Sequence, residues 1–215
     1  MSVLILDGLC YSYDGRKKVL KDIDYNFEKG KIYAIVGKSG AGKTTLLSLL
    51  SGLTTPTEGK ILYEGKDISK LDKYKLRSRI VGVVFQGYNL LIHLTAVENV
   101  VLSMDVSGKK IRNKRQKAVE ILEKVGLCGE DISRKVLKLS GGEQQRVAIA
   151  RTLSYDPDII LADEPTGNLD KGTQEDVMNI FKKLAYEDGK CIIIVSHSSD
   201  VANMADEIYN LAPLK

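Results

Sequence analysis

Gly37-Lys38-Ser39-Gly40-Ala41-Gly42-Lys43-Thr44 has the spacing G-x-x-x-x-G-K-[ST], and the chemistry of that spacing is the cradling of phosphate oxygens by backbone N–H groups. Glycines at 37, 40 and 42 admit conformations that a Cβ would obstruct and let the chain approach an anion closely. Lys43 is then placed to reach the β- and γ-phosphates, and the Thr44 hydroxyl to bind Mg²⁺. Far downstream, Ile159-Ile160-Leu161-Ala162-Asp163-Glu164 is an apolar run that ends in two acids. Asp163 is the expected Mg²⁺ partner, directly or through water, and Glu164 is positioned to orient or deprotonate an attacking water. A third group, Ser140-Gly141-Gly142-Glu143, precedes the helical residues 147–151. It describes a polar helix N-terminus with exposed N–H groups, a second anion site. Together these residues point to a nucleoside triphosphate as ligand.

The elements that must hold these groups follow from hydrophobic pattern. Residues 31–36 form a short β-branched run before the glycine-rich loop, and residues 45–50 form an apolar-faced helix after it. Residues 3–6, 19–27 and 61–63 read as strand pieces, with Asp14-Gly15 and Lys29-Gly30 as turns and residues 58–65 as a hairpin arm. Residues 80–85 form a further strand. The signal then changes to helix from about 89 to 155, where Val119, Leu122 and Val125 share one helical face beside Ile121 and Gly126 provides a C-cap. Strands return at 158–163 and 190–196, with helical periodicity between them at 173–186. This alternation predicts an α/β fold, a parallel sheet flanked by helices with its ligand at the carboxyl ends of the strands.

The 215 residues suffice for one compound domain with a buried core, and internal repeats are absent. A net charge of +4 does not call for nucleic acid as a partner, and none is expected. The basic cluster Lys109-Lys110-Ile111-Arg112-Asn113-Lys114-Arg115 reads as the solvated face of a helix. The longest apolar runs are too short to cross a bilayer, and residues 1–7 do not resemble a secretory signal. Cys10, Cys128 and Cys191 lie far apart with no metal-ligand spacing, a pattern that fits a reducing, cytosolic compartment, and Cys191 reads as a buried hydrophobe.

Leu139-Ser140-Gly141-Gly142-Glu143-Gln144-Gln145-Arg146 resembles the signature segment of the nucleotide-binding subunits of ABC transporters, and the resemblance extends over nearly the whole chain. It implies a P-loop NTPase (RecA-like) core, a small antiparallel β subdomain and an inserted α-helical subdomain at about 88–155, all within a single domain spanning 1–215. It further implies that Tyr13 stacks on adenine, that Lys38, Ser39, Ala41 and Thr45 share the nucleotide loop, and that Gln86 touches Mg²⁺ and couples to the membrane subunit. His197 resembles the histidine that contacts the γ-phosphate, and Asn168-Leu169-Asp170 resembles the segment crossing the dimer interface. In such a family two copies pack head-to-tail, so that ATP lies between residues 37–44 of one and Ser140, Gly141 and Gly142 of the other.

Residues 81–91 and 94–100, together with Asp163-Glu164-Pro165-Thr166-Gly167-Asn168-Leu169-Asp170, look most like the lipoprotein-release, macrolide-export, antimicrobial-peptide and cell-division ATPases. That subgroup is bacterial and works with a permease on a separate chain. The expected role is therefore an ATPase peripheral to the inner face of the cell membrane. The chain stops soon after Glu207-Ile208-Tyr209-Asn210-Leu211, so the closing hairpin and any sensing extension are expected to be shortened or missing. Three alternatives remain on this reading: a soluble ABC ATPase of iron–sulfur assembly, a translation-associated ABC protein, and a regulatory ATP-binding module. A single cassette argues against the second, and Glu164 with His197 against the third.

Overall fold

The structure, a computed structural model, describes residues 2–213. In chain order β1 (Ser2–Ser12), β2 (Lys18–Glu28) and β3 (Ile32–Val36) lead through the glycine loop into α1 (Lys43–Leu50). Then come β4 (Glu58–Tyr63), β5 (Lys66–Asp67), α2 (Lys73–Lys75) with a wider π turn over Leu76–Ile80, and β6 (Val81–Val84). The helices α3 (Ala96–Val106), α4 (Lys114–Lys124) and α5 (Gly141–Leu153) precede β7 (Ile159–Asp163). α6 (Lys171–Tyr186), β8 (Cys191–Ser196), α7 (Ser199–Asn203) and β9 (Glu207–Asn210) complete the described chain.

The strands form an antiparallel sheet in the order β2-β1-β4-β5 and a parallel sheet in the order β6-β7-β8-β3-β9. Both faces of the parallel sheet are covered, which is why its strands are almost continuously apolar. The pleat divides the strands inside the β9 edge between two cores: Ile192 and Ile194 of β8 enter one, and Cys191, Ile193 and Val195 the other. The first core is closed by α3, α4, α5 and α6 through residues such as Val100, Leu122, Val147 and Phe181. The second is closed by α1 and the antiparallel sheet through Leu46, Leu49, Phe27 and Ile61. This is the P-loop NTPase architecture expected, with its antiparallel β unit and helical insert.

Local chemistry accounts for most element ends. α4 terminates in a Schellman pattern, in which Gly126 (φ +81) and Leu127 donate to the carbonyls of Glu123 and Leu122. Its buried face is Ala118, Ile121, Leu122 and Val125, while Val119, expected on one face with Leu122 and Val125, is half-buried at its margin. Residues 109–113 are not a helical face. They form the turn ahead of α4, and helix begins only at Lys114, because Asn113 adopts φ +48. The segment 73–80 carries no apolar period that would announce a helix, but Asp72 caps it by accepting from the N–H groups of Tyr74 and Lys75.

The two sheets are joined by aromatic rings. Tyr209 of β9 stacks on Tyr25 of β2 (centroids 4.0 Å apart), and its hydroxyl donates to the Asn26 carbonyl at 2.8 Å. All three cysteines are free thiols, and Cys191 is buried as expected.

Candidate functional site

Strand order decides which residues meet. β7, β8 and β3 are neighbours and parallel, with Asp163 opposite Val195 and Val36 opposite Ser196. The acids after β7, the Ser196-His197 pair at the end of β8 and the loop after β3 therefore emerge side by side at one edge of the sheet. β6, beside β7, adds Phe85 and Gln86 at the same edge.

Tyr13, Ser39, Gly40, Gly42, Lys43, Thr44, Thr45, Gln86, Asp163 and Glu164, with Val19, line one cleft of about 410 Å³. The loop geometry follows from its glycines: Gly40 and Gly42 stand at φ +78 and +92. Gly37 is required for a different reason from the one expected. Its φ is unexceptional, but a Cβ there would lie 2.5 Å from the Leu211 carbonyl oxygen. Gly37, Lys38 and Ala41 do not line the cleft, and Ala41 is buried beneath it. Lys43 curls over the loop, with Nζ donating to the carbonyls of Gly37 (2.8 Å) and Lys38 (3.3 Å). Tyr13 is largely exposed at the rim, its hydroxyl 2.8 Å from Thr45 Oγ1 and its ring edge-on to Tyr11.

The acids differ in environment. Burial pushes the Asp163 carboxyl above its ordinary range, the adjacent Glu164 charge adds to this, and Lys43 opposes it. Glu164 is tied at both oxygens: Ser196 Oγ donates to Oε2 at 2.9 Å, and His197 Nδ1 lies 2.7 Å from Oε1. Glu164 also stands at φ +44, a strained conformation for a residue with a Cβ, and its own N–H donates to the Val195 carbonyl at 2.9 Å. His197 is mostly exposed and joins the cleft through Glu164. Its pairing with Glu164 was not anticipated from sequence, because no fixed spacing links the ends of two adjacent strands.

Ser140 and Glu143 form a capping box. Glu143 Oε2 accepts from the Ser140 N–H at 2.7 Å, and the Ser140 hydroxyl accepts from the Glu143 N–H at 3.3 Å. Ser140, Gly141, Gly142 and Glu143 line a separate concavity of about 430 Å³ with Asn168, Leu169 and Asp170, and it shares no residue with the loop cleft. A larger hollow of about 600 Å³ between α4, α5 and α6 contains none of the predicted groups, so chemistry rather than volume identifies the site.

A Cβ on Gly142 would lie 2.5 Å from Thr173 Cγ2, and Thr173 is fixed by Asp170, which accepts from both its N–H and its hydroxyl. Gly142→Ala is expected to shift the start of α5 at a cost of about 1–3 kcal/mol. The unfolding temperature, measured beside that of the unaltered chain, checks the cost.

The profile of the ABC transporter family matches residues 20–167. The uncharacterised ABC transporter ATP-binding protein YclH of Bacillus subtilis is 46% identical over 207 residues, covering 96% of this chain and 92% of its own. The lipoprotein-releasing system ATP-binding protein LolD of Aquifex aeolicus is 44% identical over 190 residues, covering 87% and 84%. Among solved structures, the dimeric post-hydrolysis state of the ATP-binding cassette MJ0796 bound to ADP and Pi superposes with a TM-score of 0.85 at 36% identity, covering 99% of this chain and 97% of that one.

Proposed function

Because the chain belongs to the ABC transporter family as an ATP-binding domain, and is an ATPase of that family, we propose that it is the motor subunit of a bacterial ABC transporter. On this reading it dimerises head-to-tail around ATP and drives a separate transmembrane permease that exports or extracts peptide, lipoprotein or drug. The single domain spans 1–215, with 88–155 as its helical insert. The observation that carries the reading is the separation, within one chain, of the loop cleft from the Ser140–Glu143 concavity. A nucleotide held by Lys43 and Thr44 then meets a signature helix only if a second copy supplies it.

The candidate ligands suit Mg²⁺. The Thr44 hydroxyl, the Gln86 amide oxygen and the Asp163 carboxylate are hard oxygen donors in one cleft. Among the described residues no cluster of three His, Cys, Asp or Glu side chains is placed to hold a metal. When bound, Mg²⁺ would neutralise charge on the phosphate oxygens. In the proposed reaction Lys43 turns from the loop carbonyls to the phosphates, Tyr13 packs its ring on adenine, and Glu164 takes a proton from the attacking water. His197, held through Nδ1, directs Nε2 towards the γ-phosphate.

Among the described residues no helix is long and apolar enough to cross a membrane. A groove of about 270 Å³ lined by Leu53, Arg77, Val83, Phe85 and Arg151 adjoins Gln86. Leu53 and Phe85 expose apolar surface there, which supports docking of a permease element and a peripheral place at the inner face of the membrane.

The composite site is tested by mixing two defective chains. Lys43→Ala lacks the loop cation and Ser140→Arg blocks the signature face. Each alone should be nearly inactive, whereas an equimolar mixture should recover roughly a quarter of wild-type turnover, since half the dimers carry one intact site of two. A mixture as inactive as its components would reject the head-to-tail arrangement.

A further inference from the structure

Immediately after Gln86 the backbone takes an unusual course. Tyr88 and Asn89 are consecutive non-glycine residues in the left-handed region, at φ +58 and +51. Local hydrogen bonds shape the turn, from Tyr88 N–H to the Phe85 carbonyl and from Asn89 N–H to the Gly87 carbonyl. It is also held from outside its own sequence. The Arg151 guanidinium, on the last turn of α5, donates through Nη2 to the Tyr88 carbonyl at 2.9 Å and through Nη1 to the Asn89 carbonyl. The first turn of the same helix lies close by. The Tyr88 hydroxyl lies 3.2 Å from where a Cβ on Gly141 would stand, beside the Ser140 cap.

The loop carrying Gln86 is thus tied to the last turn of the helix that begins with the signature residues, with the Tyr88 side chain close to its first turn. Arg151 also lines the groove that contains Phe85. A guanidinium suits this task because its rigid fork addresses two carbonyls at once, which a lysine ammonium does not do with fixed geometry. The tie, in exchange, helps to keep the turn in a conformation that Tyr88 in particular disfavours.

From this geometry we infer that Arg151 is a positioning residue that locks the Gln86 loop to the signature helix, so that the docking groove, Gln86 and Ser140 move as one body. The inference rests on the proposed role of Gln86 at Mg²⁺. It predicts that loss of the tie releases Gln86 from the cleft without disturbing the nucleotide loop.

The experiment compares Gln86→Ala, Arg151→Met, Arg151→Lys and the double variant Arg151→Met/Asn89→Gly. For each full-length chain the readouts are the Mg²⁺ concentration giving half-maximal ATPase, the affinity for a fluorescent ATP analogue without Mg²⁺, and the unfolding temperature. Arg151→Met should raise the Mg²⁺ requirement about 10-fold or more, the scale of losing a charge-assisted hydrogen bond, as should Gln86→Ala. Metal-free nucleotide affinity should not change. Arg151→Lys should shift the requirement less, and it serves in place of Arg151→Met if that chain does not fold.

The decisive arm is Asn89→Gly. Glycine adopts the left-handed conformation without the tie, so the double variant should recover most of the lost Mg²⁺ response. If Gln86→Ala shifts the requirement and the Arg151 variants do not, the inference about Arg151 is overturned while the reading of Gln86 stands. If Gln86→Ala leaves the requirement at wild type, the reading of Gln86 falls and the inference with it. A defect in Arg151→Met that Asn89→Gly leaves uncorrected assigns Arg151 to packing alone and also overturns it.

Discussion

Glu164→Gln is expected to bind Mg-ATP and dimerise while losing turnover by about 10²–10⁴-fold, the range of a general base. The substitution is nearly isosteric, and its local hydrogen bonds survive in altered sense. The Ser196 hydroxyl, now 2.9 Å from Oε2, is able to accept from an amide as well as donate to an oxygen, and His197 Nδ1 serves either role according to its tautomer. The strained backbone at φ +44 is equally available to Gln. What disappears is the basic oxygen and the negative charge beside Asp163, and removing that charge relieves one of the two influences raising the Asp163 carboxyl. The closed dimer should therefore accumulate, because ATP is retained and not cleaved. Single-turnover ATPase with light scattering in the presence of Mg-ATP reads both effects. Wild-type turnover would remove Glu164 from the role of base.

Lys43→Ala should act on binding instead. The ammonium lies over the loop, donating to the Gly37 and Lys38 carbonyls, and it is the cation contributed by the loop cleft. Removing a charge partner of phosphate costs about 2–5 kcal/mol, which corresponds to a loss of ATP affinity between roughly 30-fold and several thousand-fold. The fold should not suffer. Lys43 opens α1, whose buried residues are Thr45, Leu46, Leu47, Leu49 and Leu50, and alanine is the best helix former. Titration with a fluorescent ATP analogue, set beside the unfolding temperature, distinguishes the two possibilities. Affinity within about twofold of wild type would exclude Lys43 as a phosphate ligand. A fall in unfolding temperature of many degrees would instead assign it to structure.

Composition and short-range pattern carried a large part of this protein. The glycine loop, the polar helix start at Ser140, the Gly126 terminus and the apolar strands are features of short stretches of chain. Their physical causes (orphan N–H groups, positive φ, burial on both faces) leave marks at fixed spacing. Even there the sequence misjudged details that depend on neighbours. Gly37 is needed because the Leu211 carbonyl approaches it, and the basic turn at 109–113 is not helix because Asn113 bends the chain ahead of α4.

Tertiary structure alone decided the rest. That Ser196 and His197 hold both oxygens of Glu164 follows from β8 lying beside β7, an adjacency no local pattern encodes. The same holds for Tyr209 stacking on Tyr25, and for Arg151 grasping the carbonyls of Tyr88 and Asn89. Sequence specifies which groups are present and how each element begins and ends. Strand order and packing then select which of them meet, because both are set by burial of whole faces rather than by any pair of residues.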